Sequence, residues 1–423
     1  MRLKKIITVA AALAMAMSMS LVASFAADID NGVKNTTDTQ ISIPKGVTFI
    51  NEDAVSSYGP DITYTYSVAP AGITDGQYTV KDAAGHITSV NNGVADGLSF
   101  HNDVNSITFA NSQLFTTSAS GVETQKDIVL DVDLSKFSKP GVYRYKITDT
   151  TALADLYAAG ITRDDNYQED RYIDVFIHRN ATSGALEISG YALKTTNDST
   201  DGTATPPTAK DPGYVVASDV EDGTPADTDR YETYNVSVTK QVAGAMGDRE
   251  HGFPFDITVT NQGKLFQSAY GDVNAAKAAT AATTTALHPQ NGLKHGQTYT
   301  LVGLSPKATL AVVETNDTTD LYTVTVAGST GSIQVTENAS AKTYSIAASA
   351  VSTYDADNSA TTVNDLGAKT NYSAVTYTNT LDDVSPTGLV LRFGIYFFAI
   401  AAALMLFAVS RTSSDEKEDG TIA

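Results

Sequence analysis

The chain predicts an all-β protein built from two tandem sandwiches, and three observations carry that prediction. Runs of alternating apolar and polar residues, rich in Thr, Tyr and Val, are bounded by Gly, Pro, Asn and Asp. Long helical patterns are scarce away from the two ends of the chain. One order of strands occurs twice, which suggests a tandem pair rather than a solenoid. At 423 residues, the chain is long enough for two or three domains with real cores.

Taken in order, Arg2, Lys4 and Lys5 precede an apolar run from Ile6 to Val22, and Ser24-Phe25-Ala26 is a small-x-small cleavage site. Residues 1–26 therefore read as a secretory signal peptide, removed after Ala26. The first domain, 27–230, opens with a strand Ile41–Lys45; the Pro44 before its lysine suits an edge or strand-entry position. Further strands follow at Pro60–Val68, Ile128–Leu134, Gly141–Asp149, Arg171–His178 and Gly184–Leu193. Between Thr195 and Thr228 the chain turns polar and is expected to form a long, mobile loop or arm. The second domain, 231–383, restarts the plan with Tyr234–Lys240, Phe253–Val259, Thr309–Glu314 and Ala374–Asn379. Its exception is the Ala-rich stretch Val273–Ala286, read as a helix or a flexible loop.

Composition excludes several function classes. A formal net charge of −20 and a sequence pI near 4.5 repel phosphate backbones, so nucleic-acid binding is not expected. There is no cysteine in a chain that reads as exported, so covalent stapling has to come from other chemistry. Tryptophan is absent as well, which argues against the aromatic platforms of a carbohydrate-active enzyme. Asp355-Ala356-Asp357-Asn358-Ser359 resembles the start of a calcium loop, but no Gly stands at its sixth position and Leu366 fills the twelfth. His288 and His295 lack companion ligands. With no phosphate loop, zinc pattern or nucleophile elbow, the chain is expected to hold no metal or cofactor and to be no enzyme.

The residues that break the strand pattern point to a different chemistry. Lys240 lies in the first strand of the second domain, Glu314 in a middle one and Asn379 in the last, each flanked by apolar neighbours. If those strands are adjacent, the three side chains meet in the core. Burial there lowers a lysine pKa and raises that of a glutamate. A neutral amine is nucleophilic, and a protonated carboxyl can polarise an amide and shuttle protons. The product is a Lys–Asn amide with loss of ammonia, formed once within the chain.

Lys240 with Phe253-Pro254-Phe255, Val313-Glu314 and Tyr377-Thr378-Asn379 resembles the pilin isopeptide-linkage domain, a relative of the B-type domains of collagen-binding adhesins. The resemblance implies an immunoglobulin-like (Cna B-type) sandwich, with Lys240 as nucleophile, Asn379 as electrophile and Glu314 as catalytic acid. In the first domain, Lys139-Pro140-Gly141 through Thr148 resembles the family's strand, but Asp149 stands where Glu is usual. The stretch ahead of the second lysine carries Asp229 where the family has Asn. Lys45 and Asp229, with Asp149 as acid, are thus candidates for a second bond, a Lys–Asp amide formed with loss of water; the alternative is ordinary surface or salt-bridged residues.

The last segment, 384–423, carries Val384-Ser385-Pro386-Thr387-Gly388, then an apolar run over 393–409, Arg411 and a short tail. That run is at the short end of what spans a bilayer. The arrangement resembles a Gram-positive cell-wall sorting signal of the streptococcal-type major pilins. It implies cleavage by a sortase between Thr387 and Gly388 and transfer of the Thr387 carbonyl to an amine, of a neighbouring pilin subunit or of peptidoglycan. Val384-Ser385 replaces the usual Leu-Pro, and the tail is more acidic than the family's. Lys194 and Lys210 are the candidates for the inter-subunit lysine. The expected function is that of a structural pilin, exported to the cell wall and used in adhesion. The alternative is a monomeric wall-anchored adhesin that meets a host-surface ligand through the Thr195–Thr228 arm or the Ala-rich stretch.

Overall fold

The computed structural model describes residues 33–34, 37–81, 87–164, 167–198, 211–216, 229–260, 264–273, 277–279, 284–316, 322–353, 368–382 and 399–407. The signal peptide, Thr387, Gly388, Lys210, the Asp355–Ser359 segment and most of the 393–409 run lie outside them. Among the described residues, 399–407 are helical and exposed, and no helix is long and apolar enough to cross a membrane.

The principal strands, numbered along the chain, are β1 Gln40–Asn51, β2 Ile62–Pro70, β3 Val122–Val132, β4 Gly141–Asp149, β5 Ile161–Arg163, β6 Asp170–Arg179, β7 Leu186–Lys194 and β8 Asp229–Ala243. They continue as β9 Phe255–Thr260, β10 Phe266–Tyr270, β11 Thr298–Leu304, β12 Thr309–Thr315, β13 Thr323–Ala327, β14 Thr343–Ala350 and β15 Ala374–Thr380. A short helix, α1 Leu153–Ala159, ends on Gly160 in the left-handed region, φ 82°. The alternation read in the sequence is the alternation of burial. In β2, Ile62, Tyr64 and Tyr66 point inward while Thr63 and Ser67 point out or lie partly exposed.

The N-terminal half packs the sheet β7-β6-β4-β2 against β3-β1-β8. Ile43, Phe49 and Leu130 on one side meet Tyr64, Tyr145, Ile147 and Ile173 on the other in one buried cluster. The C-terminal half repeats the arrangement. The sheet β10-β11-β8-β15-β13 faces a sheet of Thr284–Leu287, β9, β12, β14 and Thr336–Asn338, enclosing Val236, Val238, Phe255, Ile257, Leu310, Val312, Val375 and Tyr377. Both halves are β-sandwiches, and the described residues are all-β apart from short helical turns and the 399–407 helix.

One strand belongs to both. Asp229–Thr233 of β8 runs parallel to Val47–Asn51 of β1, and Ser237–Ala243 of the same strand runs parallel to β15. The boundary expected between residues 230 and 231 thus falls inside a continuous strand.

Two expectations need correction, and the place of Pro44 can be made exact. The Ala-rich stretch is neither helix nor loop where it is described: Lys277–Ala279 pairs with β10 and Thr284–Leu287 with β9. Pro44 lies where β1 has a strand on one side only: β3 pairs along ten positions, including Pro44 itself, while β8 joins the other side only from Val47. Its C=O accepts from Tyr214 N. A strand residue's N and C=O point to the same side, so the missing N–H faces the short 211–216 segment and costs the ladder with β3 nothing. That segment, placed in a mobile arm by its polarity, is packed: Tyr214 is fully buried, bridges to Lys45 and tilts against Tyr66.

Candidate functional site

Each half holds a buried lysine where strand alternation calls for an apolar residue. In β8 the inward series is Val236, Val238, Lys240, Val242; in β1 it is Ile41, Ile43, Lys45, Val47, Phe49. The register around the two lysines is the same. On the parallel neighbour of β8, Asn379 lies opposite Val242, two residues beyond Lys240. On the parallel neighbour of β1, Asp229 lies opposite Val47, two residues beyond Lys45. Lysine and partner therefore face the same core from adjacent strands. The acids come from the opposing sheet, where Glu314 follows Leu310 and Val312 in β12 and Asp149 follows Tyr145 and Ile147 in β4.

In the C-terminal cluster all three side chains are completely buried. Lys240 Nζ lies 3.2 Å and 3.1 Å from the two Glu314 oxygens. Asn379 Nδ2 donates to Glu314 Oε1 at 2.5 Å, while Asn379 Oδ1 has no hydrogen-bond partner among the described residues. The ring of Phe253 lies 4.2 Å from the amine. Burial brings the Lys240 amine down to about 8, against the pull of Glu314. Burial likewise pushes the Glu314 carboxyl up, against Lys240 and Asn379. The arrangement sets a weakened base, a strengthened proton holder and a side-chain amide in contact, in a pocket without water-facing surface.

The N-terminal cluster brings Lys45, Asp149 and Asp229 together and adds two residues that the sequence reading missed, Arg163 and Tyr167. Lys45 Nζ donates to Asp229 Oδ2 at 2.6 Å and to Tyr167 OH at 3.1 Å. Arg163 grips Asp229 with both Nε and Nη2, at 2.8 Å and 2.9 Å, and Nη2 also reaches Asp149 Oδ2 at 2.8 Å. Tyr167 OH donates to Asp149 Oδ2 at 2.6 Å. Burial alone would raise Asp229, but Lys45 and Arg163 together hold its carboxyl well below the usual range. Burial pulls the Lys45 amine down. Ile161-Thr162-Arg163 carries the only sequence signal for the arginine, an inward position on a three-residue strand.

Lys194 lies at the end of β7 with no exposed side-chain surface. Its amine donates to the Asp198 carbonyl at 2.7 Å and to Asp198 Oδ1 at 2.9 Å. Arg144, locked onto Asp174 through two bonds, donates to the same carbonyl. As placed, this amine is not presented to a partner. His288 pairs with exposed Asp256, and His295 accepts from Val242 N.

Residues 234–347 match a family described as a domain of unknown function, DUF7601. No curated protein matches the chain. Similar solved structures include the major pilin from Streptococcus pyogenes, at 15% identity and a TM-score of 0.40, covering 81% of this chain and 100% of that one. The major pilin protein T3.2 of the same species, serotype GAS13637, is 18% identical with a TM-score of 0.40, covering 83% and 100%. A pilus-presented adhesin is 15% identical over 51% of this chain and 37% of its own, with a TM-score of 0.22.

Proposed function

We propose that this chain is a structural subunit of a covalently assembled surface pilus, stiffened by an amide that Lys240 and Asn379 form spontaneously. The observation that carries the reading is the buried contact of Lys240, Glu314 and Asn379 across the first and last strands of one sandwich. Two complementary ionisable groups and an amide sealed in an apolar core are costly to keep, and condensation removes the cost of the charged amine.

The reaction needs no cofactor. With its proton passed to Glu314, the Lys240 amine attacks the Asn379 carbonyl carbon, forming the new C–N bond. Glu314 then returns a proton to Nδ2, the nitrogen it already contacts, the old C–N bond breaks with release of ammonia, and the second proton of the attacking nitrogen passes to the Glu314 carboxylate. Since the chain modifies itself once, it is no enzyme in the turnover sense.

Export, cleavage by a sortase after Thr387, attachment to the next subunit or to peptidoglycan, and a role in adhesion rest on the terminal sequence motifs. Lys210 is the better candidate acceptor, because Lys194 is enclosed. The test of the core claim is the intact mass of the folded ectodomain. One ammonia less than the sequence mass is expected, restored in Lys240→Ala and in Glu314→Ala. A mass equal to that of the sequence would remove the basis for the reading.

A further inference from the structure

The two clusters share register but differ in charge. Around Lys240 stand one amine, one carboxyl and one neutral amide. Around Lys45 stand two cations and two carboxyls, all but fully buried, with a formal charge of zero. Glu314 touches both lysine and amide directly. Asp149 touches neither Lys45 nor Asp229: its Oδ2 is occupied by Arg163 and Tyr167, and both oxygens of Asp229 are taken by Arg163, with Lys45 on one of them.

We propose that Arg163 is a guard residue that keeps Lys45 and Asp229 as an unreacted ion pair, so that the N-terminal sandwich is closed by charges and the C-terminal one by a covalent bond. Amide formation from an acid needs the carboxyl protonated, because a carboxylate has no leaving group and resists attack. A guanidinium bonded to both carboxylates favours their ionised form and has no proton to give up. It also stands where the acid would have to reach the electrophile, so Asp149 cannot play the part of Glu314. The relay that remains, from Lys45 to Tyr167 to Asp149, leads protons away from the amine but not on to Asp229.

The charge count says how to release the block. Replacing Asp229 by Asn and Arg163 by Met removes one charge of each sign, leaving one amine, one carboxyl and one amide, the composition found around Lys240. Lys45 then attacks the side-chain carbonyl carbon at position 229, the C–Nδ2 bond of the introduced amide breaks, and ammonia leaves with a proton returned through Asp149. In Asp229→Asn alone, Arg163 still occupies Asp149, and no bond should form.

The experiment is peptide mapping of the full-length chain after denaturation and digestion, scoring whether the peptide holding Lys45 and the peptide holding position 229 are joined. Wild type and Asp229→Asn should give the two peptides separately; Asp229→Asn/Arg163→Met should give them joined with loss of one ammonia. A joined pair in wild type or in Asp229→Asn overturns the guard role. So does a double variant that is protease-resistant yet unjoined. If the double variant does not fold, the near-isosteric single variant still decides, since a joined pair there sinks the proposal and separate peptides support it. The Lys240–Asn379 pair is read in the same digest, so failure of that bond is scored separately.

Discussion

At the scale of single residues, the lysine at the heart of each sandwich is an expensive choice. An amine at an inward strand position loses its hydration, and a buried partner carboxyl repays that only in part. The expense can be measured in Asn379→Ala, which keeps Lys240 and Glu314 but cannot condense. Burial holds Lys240 near 8 rather than at 10.5. Between those values the unfolded chain binds more protons than the folded one, so stability rises with pH. On the proposed cross-link the wild-type nitrogen is an amide and does not titrate, while Glu314 is present in both chains and largely cancels. The gap in melting temperature between wild type and Asn379→Ala should therefore be widest near neutral pH and narrow toward about pH 10, a recovery of about 3 kcal/mol. A gap that stays constant over that range would mean that the Lys240 amine is not destabilised by burial.

At the scale of elements, β8 decides how the halves are joined. It is the parallel neighbour of β1 at its start and of β15 at its end, so neither sheet is complete without it. The changeover is marked by Asn235. Its amide donates to Asn51 and Asp53 and accepts from Asn51 and Gly303. Asn235→Ala removes the acceptor of Gly303 N and one of the partners of buried Asn51, which keeps its bonds to Thr233, and should cost about 1–3 kcal/mol. In a denaturant melt the loss should move the transitions of both halves together; a shift confined to one half would show that β8 does not couple them. The strands themselves were legible where alternation is dense: β4 and β15 are found where Gly141–Asp149 and Ala374–Asn379 were expected. Composition misled where pairing decides. Ala-rich 273–286 favours helix by propensity, yet Lys277–Ala279 and Thr284–Leu287 take strand geometry from β10 and β9 beside them. Tyr214 is one buried aromatic in a polar stretch, a signal too sparse to read. Lys240, Glu314 and Asn379 were legible because each interrupts an apolar series, whereas Asp149 and Asp229 were found through the positions that the family resemblance assigns. Arg163 was not, because three residues of strand give no series to interrupt.

At the scale of the whole molecule, the two clusters set the path of force. A chain pulled from its ends transmits tension along β8 and out through β15, which run parallel and would be sheared past one another. An amide from Lys240 to Asn379 lies across that shear, so tension passes from strand to strand and the residues between them carry none. Closing the 139-residue span from Lys240 to Asn379 would also contribute about 5 kcal/mol by the chain-entropy model. β1 and β8 form the same parallel pair in the N-terminal half, but there sliding is resisted by non-covalent contacts: the strand ladder, the Asn51 bonds to Thr233 and Asn235, and the cluster of Lys45, Arg163 and the two aspartates. If the proposed Lys240–Asn379 amide forms and Lys45–Asp229 stays an ion pair, the molecule is an extensible half in series with an inextensible one. Single-molecule pulling of wild type should show unfolding of the N-terminal half alone, releasing the 184-residue span from Lys45 to Asp229, roughly 600 Å of extended chain. Lys240→Ala should add a second release from the C-terminal half, and Asp229→Asn/Arg163→Met should abolish the first. Two releases in wild type would place no covalent bond in either half, and none would place one in both.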